Sequence, residues 1–209
     1  MDACARSTTI MANPDRIDDG IALVDNELMS MMTHIRGCMG LSMLVDRSSG
    51  RCIATSSWES EDAMRASNEQ LQPVRQRLLD TLGADDLEVQ EWEIAIFHRD
   101  HELPTGAGAR VTWGRPPAGQ LDAAADAFKT NVLPLLEDME GFCSASMLID
   151  REAGILCGTV SFDSMARVEG NRDFAAEQRA RATQQNGTEF TDVIECEVAV
   201  HHLRVPELV

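Results

Sequence analysis

Two pairs of glutamates spaced i, i+2 are the groups in this chain best suited to move protons: Glu91 with Glu93, and Glu195 with Glu197. Carboxylates held that close repel one another, and the repulsion raises pKa values toward the range an acid/base catalyst needs. The competing reading is ion pairing across a strand face with Arg47, Arg151, Arg75 or Arg179. His98, His201 and His202 close the same two segments, and by strand alternation His201 falls on the carboxylate side. Glu93, Glu197 and His201 are therefore the candidate catalytic groups. Adjacent histidines on a strand point to opposite faces, and zinc wants four well-placed ligands, so no metal site is expected. Six cysteines without a CxxC pair read as small buried hydrophobes, and the absence of tyrosine removes one common catalytic acid. Trp58, Phe97 and Phe162 are the aromatic side chains placed to wall a substrate pocket. For Trp58 a core position is the simpler reading.

These residues recur because the chain repeats itself. SMLVDRSSG (residues 42–50) returns as SMLIDREAG (146–154), and EWEIAIFH (91–98) returns as ECEVAVHH (195–202), both displaced by 104 positions without a gap. Gly37 falls on Gly141, Ser60 on Ser164 and Gly83 on Gly187 in the same register. One register held across both halves implies two copies of one domain, residues 1–99 and 110–209. Residues 100–109, with Pro104, Gly106 and Gly108, form the linker.

Each copy reads β-α-β-β-α-β. Ile17, Ile21, Val24, Leu28, Met31 and Ile35 recur at helical steps, as do Leu121, Ala125, Phe128, Val132, Leu135 and Met139. Gly37 and Gly141 suit helix C-termini. Gly50 and Gly154 sit in the turns of two hairpins. Ser60 and Ser164 can cap a second helix, with Pro73 a predicted bend. Strand alternation places Ile194, Cys196, Val198 and Val200 under the helices, with Glu195, Glu197, Ala199 and His201 on the opposite, wetter face. The fold class is α+β: two tandem ferredoxin-like repeats forming a pseudo-dimeric α+β barrel.

Composition narrows the partners. Hydrophobic residues at 44% suffice for a core, and 18 basic against 35 acidic residues give a net charge of −17. Such a surface repels phosphate backbones and anionic lipid, which argues against nucleic acid and membrane. No apolar run approaches the roughly 18 residues of a bilayer span, and the first residues lack a signal-peptide pattern. A cytoplasmic location is expected. A small apolar or aromatic molecule is the expected partner, and the chain stands either alone or as a homodimer of pseudo-dimers.

The helix-closing glycines (Gly37, Gly141), the aspartate–turn–glycine hairpins (Asp46 and Gly50, Asp150 and Gly154) and WESEDAMRAS (58–67) together resemble the antibiotic-biosynthesis-monooxygenase-like proteins of the dimeric α+β barrel superfamily. The second copy keeps Phe162, Asp163 and Ser164 of the last motif. Members usually pair two identical chains, and here one chain supplies both halves. Haem-degrading members use a first-strand asparagine, a tryptophan ending the third strand and a histidine on the second helix. Trp58 matches the tryptophan, but Asn13 lies beyond the strand, and residues 60–82 and 164–186 contain no histidine. Haem, or any resident cofactor, is therefore not expected. Cofactor-free members deprotonate a bound phenolic substrate and let the anion reduce oxygen. The resemblance thus implies a cofactor-independent monooxygenase acting on a small aromatic or polyketide-like molecule. The alternatives are a non-catalytic small-ligand-binding or stress-associated barrel, and a filled barrel that only self-associates. Because Trp58 is replaced by Phe162, Trp92 by Cys196 and Phe97 by His201, a single active site would leave the halves with different cavities.

Overall fold

In the computed structural model, which describes residues 3–209, each repeat grows from a hairpin whose turn leaves the chain little freedom. β2 (Cys38–Asp46) and β3 (Arg51–Trp58) join where the Asp46 carboxylate accepts hydrogen bonds from the Ser48 amide at 2.9 Å and from the Ser48 and Ser49 hydroxyls at 2.6 Å. Gly50 closes the turn at φ +80°, and a Cβ there would lie 2.6 Å from the Ala12 carbonyl oxygen. The Ala12 amide donates back to the Gly50 carbonyl at 2.8 Å, so the turn is seated on the end of β1 (Cys4–Met11). In the second repeat β6 (Phe142–Asp150) and β7 (Ile155–Phe162) turn at Gly154, φ +67°, whose Cβ would meet nothing nearer than 3.8 Å.

The helices follow the apolar periodicity. α1 (Ile17–Leu23) runs through a π-helical turn (Val24–Leu28) into α2 (Met29–Met32). Ser60 caps α3 (Glu61–Ala66), accepting from the Ala63 amide at 3.2 Å, and α4 (Asn68–Leu82) continues the same direction of chain. The interruption lies at Ser67 rather than at the predicted bend, Pro73, which sits inside α4. The Ser67 hydroxyl donates to the Met64 carbonyl at 2.7 Å and accepts from Arg6 at 3.4 Å. Pro73, the sixth residue of α4, removes one i→i−4 hydrogen bond without ending the helix. β4 (Leu87–Arg99) completes the first repeat. The second repeats the order: β5 (Gly108–Arg115), α5 (Leu121–Asn131), α6 (Leu133–Glu137) restarting at Pro134, β6, β7, α7 (Met165–Gly170), α8 (Arg172–Asn186) and β8 (Glu189–Leu203). β5 begins at Gly108, so the last two positions of the expected linker are already strand.

The eight strands hydrogen-bond in the closed order β1-β3-β2-β8-β5-β7-β6-β4. Two compact units result, and the long strands change unit midway. One unit holds the chain up to Glu93 together with Glu197–Val205, and the other holds Ile94–Cys196 with Pro206–Val209. In the first unit Trp58, Met64, Leu71, Leu78, Leu82 and Val24 form one continuous core between helices and sheet. In the second, two smaller clusters form around Met147 and Leu121 and around Phe142 and Phe162, while α8 contributes no buried residue. Among the described residues no helix is long and apolar enough to cross a membrane.

Register corrects the expected assignment of faces. Arg6 lies opposite Ser56 on β3 and opposite Glu91 on β4, and cross-strand partners share a face. Because Arg6 reaches Ser67 at the α3–α4 joint, Glu91, and Glu93 two residues on, belong to the helix side. Trp92 turns the other way and donates to the Ser7 hydroxyl at 2.8 Å. In β8, Met43 of β2 pairs with Val200 but Leu44 pairs with Val198, leaving Ala199 as a bulge. One extra residue exchanges the faces. Val200 therefore joins the helix-side core with Leu41 and Met43, whereas Cys196 and Val198 share the opposite face. His201, opposite Ser42, is separated by the same bulge from Glu197, opposite Val45.

The two hairpin glycines should respond differently to alanine. Gly154→Ala adds only left-handed strain, about 1 kcal/mol. Gly50→Ala adds the same strain plus a collision with the Ala12 carbonyl and should cost about 2 kcal/mol or more. Thermal unfolding midpoints of the two variants test this; equal losses would contradict the seating of the first turn on β1.

Candidate functional site

The second helices of the two repeats explain where a site can form. Along α4 the inward positions are Leu71, Val74, Leu78 and Leu82, and the three leucines are buried in the first unit's core. The matching positions on α8 hold Ala175, Gln178, Ala182 and Asn186, and all four line a cavity of about 500 Å³ in the second unit. Deleting leucine side chains from beneath a helix leaves a void unless the helix collapses onto the sheet. Collapse is resisted here by Phe174 on α8, Phe128 on α5 and Phe190 on β8, which stand around the cavity, with Phe162, Val160, Gly158 and Leu156 of β7 on its sheet side. Four of the chain's six phenylalanines line this one space. A Cβ on Gly158 would meet nothing nearer than 3.9 Å, so that strand leaves room for a flat object. In the first repeat the counterpart of Phe162 is Trp58, fully buried, its indole N–H donating to the Ser56 hydroxyl at 3.0 Å.

The charged residues that line the cavity are Arg110, Arg179 and Arg181. Arg110, buried within the sheet, donates to the Val168 carbonyl of α7 and to Glu195 at 2.8 Å. Glu195 also accepts from the Arg172 Nε at 2.9 and 3.0 Å and from its Nη2. The Arg172 hydrogen bonds hold the Glu195 carboxyl below the usual carboxylate range; burial opposes them and Arg110 reinforces them. Glu195 is thus a fixed anion and a poor proton acceptor near neutrality. Arg179 reaches the cavity from α8. Burial, then the Arg110 charge, lower its pKa, with Glu195 opposing.

Of the residues singled out from the sequence, Phe162 lines the cavity. Trp58 fills the first unit's core, and Phe97 is buried where its backbone bridges Leu208 and the Arg99 guanidinium lies 5.1 Å from its ring. Glu93 is half-buried opposite Cys4. Glu197 accepts from Arg47 at 2.7 and 3.1 Å, and Arg47 also holds Asp18 at 2.8 Å. His201 is exposed. The structure does not bring Glu93, Glu197 and His201 to the cavity, and no carboxylate, imidazole or thiol is among its lining residues. Burial pushes the thiols of Cys52 and Cys157 up, to about 11 and about 12, so neither is a thiolate near neutrality. Among the described residues no three His, Cys, Asp or Glu side chains gather as a metal would require. The cavity itself was missed from sequence, although the leucine-to-alanine replacements at matching helix positions are visible once the repeats are aligned.

Comparison with known proteins extends the picture. No protein-family model matches the chain. It is 48% identical over 205 residues to the uncharacterized protein Rv2557 of Mycobacterium tuberculosis, spanning 98% of this chain and 91% of that one. It is 49% identical over 208 residues to the uncharacterized protein Rv2558 of the same organism, spanning 98% and 87%. Among solved structures, a candidate monooxygenase from Fusobacterium nucleatum superposes with a TM-score of 0.73 at 12% identity, over 97% of this chain and 95% of the other. An anthrone oxidase-like protein superposes with a TM-score of 0.62 at 15% identity, over 100% and 95%. A ferredoxin-fold protein from Listeria monocytogenes related to antibiotic biosynthesis monooxygenases gives 0.57 at 9%, over 95% of each. At these identities the likeness is one of fold.

The Arg110–Glu195–Arg172 cluster makes an acid-sensitive prediction. A carboxylate whose folded pKa is depressed contributes stability above its unfolded pKa and loses it as pH falls through the folded value. Glu195 should therefore stabilise fully at neutrality and progressively less below about pH 4.3. Glu195→Gln should cost about 2–3 kcal/mol at pH 7, between the values for exposed and buried pairs. The difference from the parent should shrink on acidification. Unfolding midpoints of both proteins from pH 7 to pH 3 measure it, and a constant difference would contradict the assignment.

Proposed function

Since the chain belongs to the family of the mycobacterial proteins Rv2557 and Rv2558 and carries the antibiotic-biosynthesis-monooxygenase-like fold twice in tandem, we propose that its second repeat binds a small aromatic or polyketide-like molecule and oxygenates it without a resident cofactor. The observation that carries this reading is the phenylalanine-lined cavity of about 500 Å³ under α8, at positions where the first repeat keeps leucines. A cavity of that size suits a molecule of a few fused rings.

The chemistry asks little of the protein. When an activated ring methylene becomes a carbonyl, four electrons leave the substrate; one oxygen atom of O2 enters the product and the other leaves as water. No external reductant is consumed. The protein's part is to hold the molecule flat, keep bulk water away and stabilise the anion that meets oxygen. A second reading, non-catalytic ligand binding, is favoured by one observation: the lining residues supply no carboxylate or imidazole to take the first proton.

A hydroxylated anthrone serves as the probe, with binding followed by fluorescence and oxygen uptake by electrode. The comparison protein is the double variant Ala175→Leu, Ala182→Leu, which restores first-repeat residues, should close the cavity and should raise stability by roughly 1–2 kcal/mol. Binding to the parent and not to the double variant, with one O2 consumed per probe above the double variant's background, is the expected result. Binding without extra oxygen uptake selects the non-catalytic reading. Equal binding by both proteins would overturn the placement of the site.

A further inference from the structure

Arg179 differs from the other arginines around it in making no direct hydrogen bond or close ion pair, feeling Glu195 only at a distance. Arg110 is committed to Val168 and Glu195, Arg172 to Glu195, and Arg181 to Glu177. Arg179, half-buried and lining the cavity, makes no hydrogen bond or ion pair with the described residues. A guanidinium is always charged and carries its donors in a fixed planar fork. Withdrawing it from bulk water without an acceptor is unfavourable, and native structures seldom do so without a use.

The first repeat shows what an idle arginine does instead. Its counterpart there, Arg75, donates to the Asn68 side-chain oxygen at 2.6 Å. The position matching Asn68 in the second repeat is Arg172, which turns to Glu195. One replacement thus removes a neutral acceptor and adds a cation. Arg110, Arg172 and Arg179 gather around Glu195, and the exposed Arg172 also pairs with Glu169 at 3.8 Å, which leaves three guanidiniums to two carboxylates in a chain whose net charge is −17.

We propose that the natural ligand of this cavity is an anion, a flat aromatic body bearing a carboxylate, and that Arg179 receives the carboxylate through its free fork. The proposal rests on the preceding placement of the ligand site and adds the substrate class. One fork matches the two oxygens of one carboxylate, and the phenylalanine-lined remainder of the cavity takes the ring system. The surrounding acidic surface disfavours polyanions at long range, so recognition of a single charge at short range is what this arrangement does best. Arg179 acts here as a binding and specificity residue, and no step of the oxygenation is assigned to it.

Anthracene-2-carboxylate and its neutral isostere anthracene-2-carboxamide separate the two claims. Both are titrated by fluorescence against the parent protein, Arg179→Gln, Arg179→Lys and the Ala175→Leu, Ala182→Leu double variant. The parent should bind the carboxylate on the order of tenfold more tightly than the amide. Arg179→Gln should abolish that preference, carboxylate affinity falling on the order of tenfold more than amide affinity, and Arg179→Lys should restore part of it. Arg179→Gln should also unfold at a higher temperature than the ligand-free parent, because an unpaired cation beside Arg110 has been removed, so loss of binding cannot be ascribed to misfolding. Equal affinity of the parent for both probes, or a preference that survives in Arg179→Gln, overturns the anion proposal and leaves the cavity assignment standing. Failure of the parent to bind either probe overturns the cavity assignment and this proposal with it.

Discussion

Each repeat depends on an arginine set into its sheet beneath the joint of its second helix. In the first repeat Arg6 on β1 donates to Glu91 across the strand pair at 2.6 Å and reaches Ser67 between α3 and α4. In the second, Arg110 on β5 bonds Glu195 and the last turns of α7 through the Val168 carbonyl. Charge-assisted bonds from a buried fork are stronger and more directional than neutral ones. They fix where the second helix leaves the joint before any packing along its length is considered. That anchoring is what allows the two helices to be treated so differently afterwards.

The first repeat uses its second helix as core. Four leucines of α4, Leu71, Leu78, Leu79 and Leu82, are buried in the same core as Trp58, each contributing roughly 1.5–3 kcal/mol of burial. The second repeat forgoes that contribution. α8 presents Ala175 and Ala182 where leucines would be, and no residue of it is buried. Its attachment rests on the Arg110–Glu195–Arg172 cluster at one end and on Gly187, left-handed at φ +73°, where it turns into β8 at the other. A helix held at its ends and unpacked along its middle can stand off the sheet, and the space beneath it is the cavity.

Much of this was legible in the residues. The 104-residue register gave the tandem organisation, helical steps of three and four gave the helices, and the aspartate–glycine turns gave the hairpins. The faces of the long strands were not legible, because alternation assumes an unbroken ladder. The bulge at Ala199 is set by pairing with β2, which no local pattern announces. Reading Glu195 and Glu197 as a pair on the wetter face opposite the helices followed from that assumption, whereas Arg172 and Arg47 hold them on the helix side. The cavity stayed hidden for a different reason. Reactive side chains single out glutamate and histidine, while the informative change was the loss of leucine at four α8 positions, Ala175, Ala182, Thr183 and Asn186.

Divergence between the repeats has a direction that follows from these energetics. A duplicated domain with two open cavities would forgo helix packing twice, and a net stability of only about 5–15 kcal/mol leaves little room for that. Filling one repeat with Trp58, Leu71, Leu78 and Leu82 frees the other from contributing a full core. The second repeat can then carry features that are costly alone: alanines under a helix, a glycine on the cavity's sheet side and an arginine without an internal acceptor. Such features are individually destabilising, and they are gathered around one space. Their co-location, more than any single reactive group, is what supports the ligand site proposed for this half.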